Sequence, residues 1–396
     1  MTDYIPYGRQ DISQADIDAV VEVLRSDWLT QGPTIERFER AVAEYCGAKH
    51  AVAVTSATAG LHVGCLSMGL GAGDWLWTSP NTFVASANCG LYCGAQVDFV
   101  DIDPKTYNMS VDLLEAKLID AEKEGKLPKV VVPVHFAGQS CEMQRIGELA
   151  SRYGFHVLED ASHAIGARYK DRAVGNCQYS DLAVFSFHPV KIVTTGEGGV
   201  VVTNNAELYK KLTRLRTHGI TRKPDLMTEP SHGLWYYQQL ELGFNYRMTD
   251  IQAGLGLSQM QRLDEFVERR RSLAARYDAL LSDLPLSLPA QHADTRSSWH
   301  LYVVRLQQAR PAHRKVFEAL RAARIGVNLH YIPVHLQPFY RNLGFNEGDY
   351  PSAEQYYREA ISLPLYPGLS EADRDRVVSV LTALLGDERA VSAATA

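Results

Sequence analysis

Cysteine, surplus basic charge and long apolar runs are all scarce in this sequence. Six cysteines, Cys46, Cys65, Cys89, Cys93, Cys141 and Cys177, are scattered over 396 residues, which does not suit the disulfide framework of a small secreted domain. Cys89 and Cys93 could share a helical face. No second pair or Cys/His cluster completes a zinc pattern, so reduced structural thiols and no metal are expected. Lysine and arginine number 40 against 46 acidic residues, for a net charge of −6 at pH 7. A nucleic-acid binder would instead show clustered basic residues. No apolar run approaches the roughly 18–20 residues of a helical membrane span, and MTDYIPYGRQ lacks the basic and apolar regions of a secretory signal. A cytoplasmic location is the expectation.

What is present is the material of a globular protein: 46% hydrophobic residues and mixed charges, with length for one large and one smaller domain. Short β-branched runs alternate with amphipathic stretches. Strands are expected at His50–Val54, Trp75–Ser79, Gln96–Val100, Lys129–Val134 and Phe155–Glu159. Helices are expected at about 34–46, from Pro80–Phe83 onward to Tyr92, at Ser110–Glu122 and at Cys141–Tyr153. This alternation predicts an α/β protein, with a mostly parallel sheet covered by helices on both faces. Ahead of it, SQADIDAVVEVLR carries an N-cap serine and sets Ile17, Val20, Val21 and Leu24 on one stripe.

The C-terminal part differs in character. From about 261 a long charged helix, LDEFVERRRSLAARYDALL, leads into a predicted α+β layer: strand Trp299–Leu306, helix Ala312–Ala323 and strand Gly326–His330. The run Arg269-Arg270-Arg271 reads as a solvated helix face. The division expected is a large domain over 1–260 and a small C-terminal domain over 261–396, its AVSAATA tail frayed beyond about 386. Between the two, Thr217–Gly243 reads as an ordered loop insertion.

The chemistry concentrates in Asp181–Asn205, DLAVFSFHPVKIVTTGEGGVVVTNN. Two interior strands, Leu182–Phe187 and Val200–Val202, flank a turn that carries Lys191. Burying an ammonium is costly. A lysine that forms a neutral imine, or that moves protons with a depressed pKa, resolves the conflict; the alternative is a charged end reaching a surface rim. Upstream, Val157-Leu158-Glu159-Asp160 is a strand ending in a carboxylate, at the sheet edge where open α/β folds bind ligands. A buried carboxylate there needs a cationic partner, and the pyridinium nitrogen of pyridoxal phosphate is one. Between strand and helix, Thr55-Ser56-Ala57-Thr58-Ala59-Gly60 offers small residues and a helix N-terminus to an anion. Taken singly, Phe83 is explained by core packing, His163 by a structural role and Asn245 by turn capping.

In order and spacing these motifs resemble, over nearly the whole chain, the DegT family of sugar-nucleotide aminotransferases, which have the fold-type I architecture of pyridoxal-phosphate enzymes. Within that family the chain resembles the pseudaminic-acid branch, the UDP-4-amino-4,6-dideoxy-N-acetyl-β-L-altrosamine transaminases. The resemblance implies that Lys191 carries the cofactor and that Asp160 meets its ring nitrogen. It places Phe83 on a ring face, His163 near the phenolate oxygen, and Ser56, Ala57, Thr58 and Ser186 about the phosphate. The family's run here is usually Asn-Ser-Ala-Thr-Ser-Ala-Leu, from which Thr55, Ala59 and Gly60 depart. Asn245 would reach the phosphate of a neighbouring subunit in a homodimer with shared sites. Tyr7, Asp27, Trp28, Leu29, Thr30, Asn328, Leu329, His330 and Tyr331 would border the UDP-sugar, together with Ser56, Ser186 and Asn245. The implied reaction moves an amino group from L-glutamate to C4 of UDP-2-acetamido-2,6-dideoxy-β-L-arabino-hex-4-ulose. Alternatives are another nucleotide 3- or 4-keto-6-deoxy sugar, or a non-catalytic cofactor-binding regulator. Relatives that act as sugar dehydratases have His in place of the lysine, and Lys191 argues against them.

Overall fold

A seven-stranded sheet runs through the computed structural model, which describes residues 3–307 and 310–385, with the backbone alone for 310–312. In chain order its strands are β1 (His50–Val54), β2 (Trp75–Thr78), β3 (Gln96–Phe99), β4 (Val130–Val132), β5 (His156–Asp160), β6 (Leu182–Ser186) and β7 (Gly199–Thr203). They lie side by side as β1-β7-β6-β5-β4-β2-β3. From β6 across to β3 all pairs are parallel, whereas β7 runs antiparallel to both β1 and β6. The central strands LAVFS, GVVVT and VVV are buried at every residue, as expected for a sheet with helices on both faces.

This topology positions the site. Asp160 stands in register with Val184, so the carboxyl ends of β5 and β6 lie beside each other. The segment from β6 to β7 then turns back over that edge. Phe187 N–H bonds the Gly198 carbonyl at 2.9 Å, Thr195 N–H bonds the Phe187 carbonyl at 2.9 Å, and Lys191 N–H bonds the His188 carbonyl at 2.9 Å. Lys191 is therefore held by a tied connection.

Four features differ from the sequence reading. Helix Gln14–Arg25 has the Ser13 cap, but Ile17 and Leu24 are exposed (47% and 53%). Its buried face carries Val23 and Asp16, against the helix Asp250–Met260. Gly254 of that helix admits Val23 closely, and Asp16 bonds Ser258, Gln259 and Arg262 at 2.7–2.8 Å. A polar cluster thus selects the packed face over the apolar stripe.

The arginine run is likewise not a solvated face. Arg270 is 1% exposed. It donates to the carbonyls of Trp299, His300 and Leu365 at 2.8–3.3 Å, while Arg269 takes those of Pro367 and Leu369 and Arg271 those of Ser297 and Gly166. All three clamp the helix Leu263–Leu281 to loop backbone, for which a five-donor guanidinium is suited.

Third, Gly326–His330 is not a strand. Separate bridges stand there instead, Ile325 just ahead of the segment to Ile5 and Asn328 within it to Ser362. Gly326 N–H bonds the Ile5 carbonyl at 2.6 Å, so close that a side chain there would meet it. Ile5 thereby joins the second hydrophobic core, with Tyr277, Tyr302, Leu320, Ile325 and Ile361, beneath the strands Leu286–Ser287, Tyr302–Leu306 and Ala360–Leu363. Last, the 217–243 insertion contains a short hairpin, Ile220–Thr221 paired with Gln238–Gln239. The helix expected from Ala312 begins at Arg310, and the tail beyond 385 lies outside the described residues.

Candidate active site

A cavity of about 520 Å³ opens at the carboxyl edge of β5 and β6. Tyr7, Ser56, Ala57, Thr58, Phe83, Asp160, His163, Ser186 and Lys191 all line it, as do Asn328, Leu329, His330 and Tyr331. Asp27, Trp28, Leu29, Thr30 and Asn245 do not. The first four are exposed, with Thr30 bridged to Thr249, and Asn245 is exposed with a bridge to Thr217.

Desolvation pulls the Lys191 pKa down to about 8, against the opposing pull of the Asp160 charge. The amine is thus far more available as a free base at neutral pH than an ordinary lysine.

Asp160 is 5% exposed. Ser86 Oγ donates to it at 2.6 Å and Ser162 N–H at 3.1 Å, and the Thr82 hydroxyl lies 2.7 Å from Ser86. Because Ser86 spends its proton on Asp160, Thr82 is the donor in that second bond. No lysine or arginine pairs with Asp160 among the described residues. On the other face of β5, Glu159 bonds His135 Nε2 at 2.6 Å. Adjacent carboxylates on β5 therefore have separate surroundings.

His163 is buried, and its pKa is driven well below the usual imidazole value by desolvation, with Lys191 and His330 adding to the effect. Ala137 N–H donates to Nδ1 at 3.3 Å, which assigns the proton of the neutral ring to Nε2. Nε2 faces the Tyr331 hydroxyl at 3.1 Å. Burial, reinforced by Asp160 and Tyr7, pushes the Tyr331 pKa upward, so it remains a phenol with its own proton free to donate. His300 completes the wall, its ring centroid 4.4 Å from that of His163. Beside them His330 accepts from the Asn328 amide at 3.3 Å and donates to Ser362 at 2.8 Å; desolvation, then Lys191, presses its pKa down to about 3.

At the opposite end Ser56 caps the helix Ala57–Ser67, its oxygen accepting from Ala59 N–H at 3.1 Å. The N–H groups of Ala57 and Thr58 have no partner in the helix. Gly60 has a packing reason: a Cβ there would stand 3.0 Å from Val184 and 3.1 Å from Val201, so the helix rides directly on β6 and β7. Thr82, Ser86, Ala137 and His300 carried no legible signal, since each gains its role from a residue distant in the chain. Glu197, in the Gly196-Glu197-Gly198-Gly199 turn, also lines the cavity; its place beside Lys191 in the sequence was the available clue.

The DegT/DnrJ/EryC1/StrS aminotransferase family matches residues 10–382, and the chain belongs to it. Over 383 residues it is 40% identical to the spore coat polysaccharide biosynthesis protein SpsC of Bacillus subtilis, covering 96% of each chain. It is 38% identical to the UDP-4-amino-4,6-dideoxy-N-acetyl-β-L-altrosamine transaminase of Campylobacter jejuni, over 96% of this chain and 97% of that one. Among solved structures, Helicobacter pylori PseC, an aminotransferase of pseudoaminic acid biosynthesis, superposes with a TM-score of 0.89 at 32% identity, covering 97% and 100% of the two chains. A putative sugar aminotransferase of Streptococcus pneumoniae, solved in PLP and PMP forms, gives 0.87 and 0.88 at 30% identity, covering 96% of this chain and 98% of that one.

The protein is thus a sugar aminotransferase dependent on pyridoxal 5′-phosphate. The residues present fit that cofactor. A buried carboxylate with no cation suits a ring N–H⁺, the bare N–H groups of Ala57 and Thr58 suit a phosphate, and an amine titrating near 8 suits a carbonyl.

Proposed function

We propose that the enzyme transfers the amino group of L-glutamate to C4 of a UDP-4-keto-6-deoxy-N-acetylhexosamine, UDP-2-acetamido-2,6-dideoxy-β-L-arabino-hex-4-ulose, in pseudaminic acid biosynthesis. The observation that carries the reaction is Lys191 and Asp160 lining one cavity, the amine depressed to about 8 and the carboxylate lacking a cation. Support for the sugar comes from the whole-length likeness to the Campylobacter jejuni transaminase and to PseC.

In this reading Lys191 holds pyridoxal phosphate through its amine. Ala57 and Thr58 N–H groups, with the Ser56 and Ser186 hydroxyls, hold the phosphate. Phe83 covers a ring face, Asp160 keeps the ring nitrogen protonated, and His163 lies near the phenolate oxygen, with its Nε2–H on the Tyr331 hydroxyl. When bound, the cofactor supplies an electron sink for the carbanion formed at the donor α-carbon. Lys191, with its amine free, would take up the proton that leaves that carbon. Tyr7 and Asn328–Tyr331 line the space left for the sugar.

We take the active unit to be a cytoplasmic homodimer with large and small domains over 1–260 and 261–396. Asn245 and Asp27–Thr30, exposed outside the cavity of their own chain, would serve the partner's site. The apolar Leu234, Trp235 and Leu242, all more than 70% exposed, favour such an interface. A second reading, another nucleotide 3- or 4-keto-6-deoxy sugar, draws on the higher identity to SpsC, whose name places it in spore coat polysaccharide biosynthesis. The purified enzyme with L-glutamate and a panel of nucleotide keto-sugars separates them, with products read by mass and NMR. A 4-amino product from the UDP-arabino-hexulose alone or preferentially supports the first reading. Preferential amination of a different keto-sugar replaces it with the second.

A further inference from the structure

Among the 22 side chains lining the active-site cavity, Lys191 is the only lysine or arginine. A nucleoside diphosphate brings two phosphate charges, and among the described residues of this chain that cavity offers no other fixed cation for them. A second cavity of about 680 Å³ adjoins it, with Leu329 common to both walls. Its other residues include Arg314, Lys315 and Arg358 beside Tyr357. The only carboxylate in the lining, Glu318, is already bonded by Arg314 Nε at 2.7 Å. Arg358 is half-buried at the end of the helix Pro351–Glu359. It has no ion-pair or hydrogen-bond partner among the described residues.

We propose that this second cavity is the pyrophosphate subsite of the nucleotide-sugar, with Arg358 and Lys315 as its cations. The assignment rests on the nucleotide-sugar reading above and adds where the charged half of that substrate sits. The sugar carbonyl lies toward Lys191, and the chain from the anomeric carbon passes Leu329 to reach the two cations. A guanidinium meets phosphate oxygens with paired, charge-assisted hydrogen bonds. A half-buried, unpaired one also has less water to displace than a surface lysine.

Calorimetric titration of the holoenzyme with UDP, and separately with uridine, tests this. Arg358→Gln should weaken UDP binding by roughly tenfold or more and flatten its salt dependence, while uridine binds both proteins alike. Arg358→Lys should recover part of the loss. If Arg358→Gln fails to fold, Lys315→Gln, at an exposed position, gives the same readout with a smaller loss. Unchanged UDP affinity in both neutralised variants overturns the subsite. It leaves the proposed function standing, provided the wild type still aminates a UDP-keto-sugar. Wild-type protein that binds dTDP or GDP but not UDP, with the loss at Arg358→Gln retained, upholds the subsite and overturns the choice of nucleotide. Failure of the wild type to bind any nucleoside diphosphate overturns both.

Discussion

His163 Nε2 and the Tyr331 hydroxyl lie 3.1 Å apart, although 168 residues separate them in the chain. The Ala137 N–H on Nδ1 makes His163 the donor in this pair, which leaves the phenol proton directed elsewhere. Removing the Tyr331 hydroxyl and removing the His163 donor should therefore have effects that do not add. Measured on the rate of the glutamate half-reaction, Tyr331→Phe, His163→Leu and the double variant should show a coupling of about 0.5–3 kcal/mol. Additive losses would mean that the two side chains act independently.

Asp160→Asn is nearly isosteric but cannot hold a ring nitrogen protonated by charge. Cofactor binding should persist while both half-reactions slow by roughly a hundredfold or more; near wild-type rates would remove Asp160 as the ring partner. Ser86→Ala, which removes the 2.6 Å donor to the carboxylate, should cost less.

For Lys191 the test is pH. A base whose pKa is lowered to about 8 is protonated below that value and free above it. Loading of pyridoxal phosphate onto apoenzyme, followed by absorbance, should rise about tenfold per pH unit below 8 and level off above it. Borohydride reduction should then fix the cofactor to the Lys191 peptide. A rate still climbing beyond pH 10, or an adduct on another lysine, contradicts the assignment.

A site shared between subunits, as proposed, predicts complementation. A Lys191→Ala chain mixed with an Asn245→Ala chain should form heterodimers with one site carrying both lesions and one carrying neither. If each parent is nearly inactive, such dimers regain up to half the wild-type activity per dimer. Verified heterodimers without recovery, or full activity in a stable monomer, exclude the arrangement.

Stability offers a fifth check. Arg270→Met leaves three buried carbonyls without their donor and should cost about 3 kcal/mol in denaturant unfolding. Arg270→Lys should restore only part, because all three bonds come from one terminal nitrogen that the shorter lysine side chain does not reach. A loss no larger than that of an exposed arginine such as Arg276 would contradict the clamp.

Local pattern by itself determined the alternating strands and helices, the helix cap at Ser13, and the placing of Asp160 at a strand end and Lys191 on the connection between two strands. Each follows from interactions within a few residues: β-branched runs bury themselves, and serine caps the helix that follows it. Tertiary structure alone decided which faces are covered. Ile17 and Leu24 look like core but face outward, because Asp16 has Ser258, Gln259 and Arg262 to meet. Arg270 looks like surface but is buried, because three loop carbonyls required a donor. Likewise, no local pattern marked Thr82, Ser86 or His300 themselves as active-site residues. A hydroxyl or an imidazole acquires its role from the group placed opposite it, and that placement is set by the sheet order, not by the neighbours along the chain.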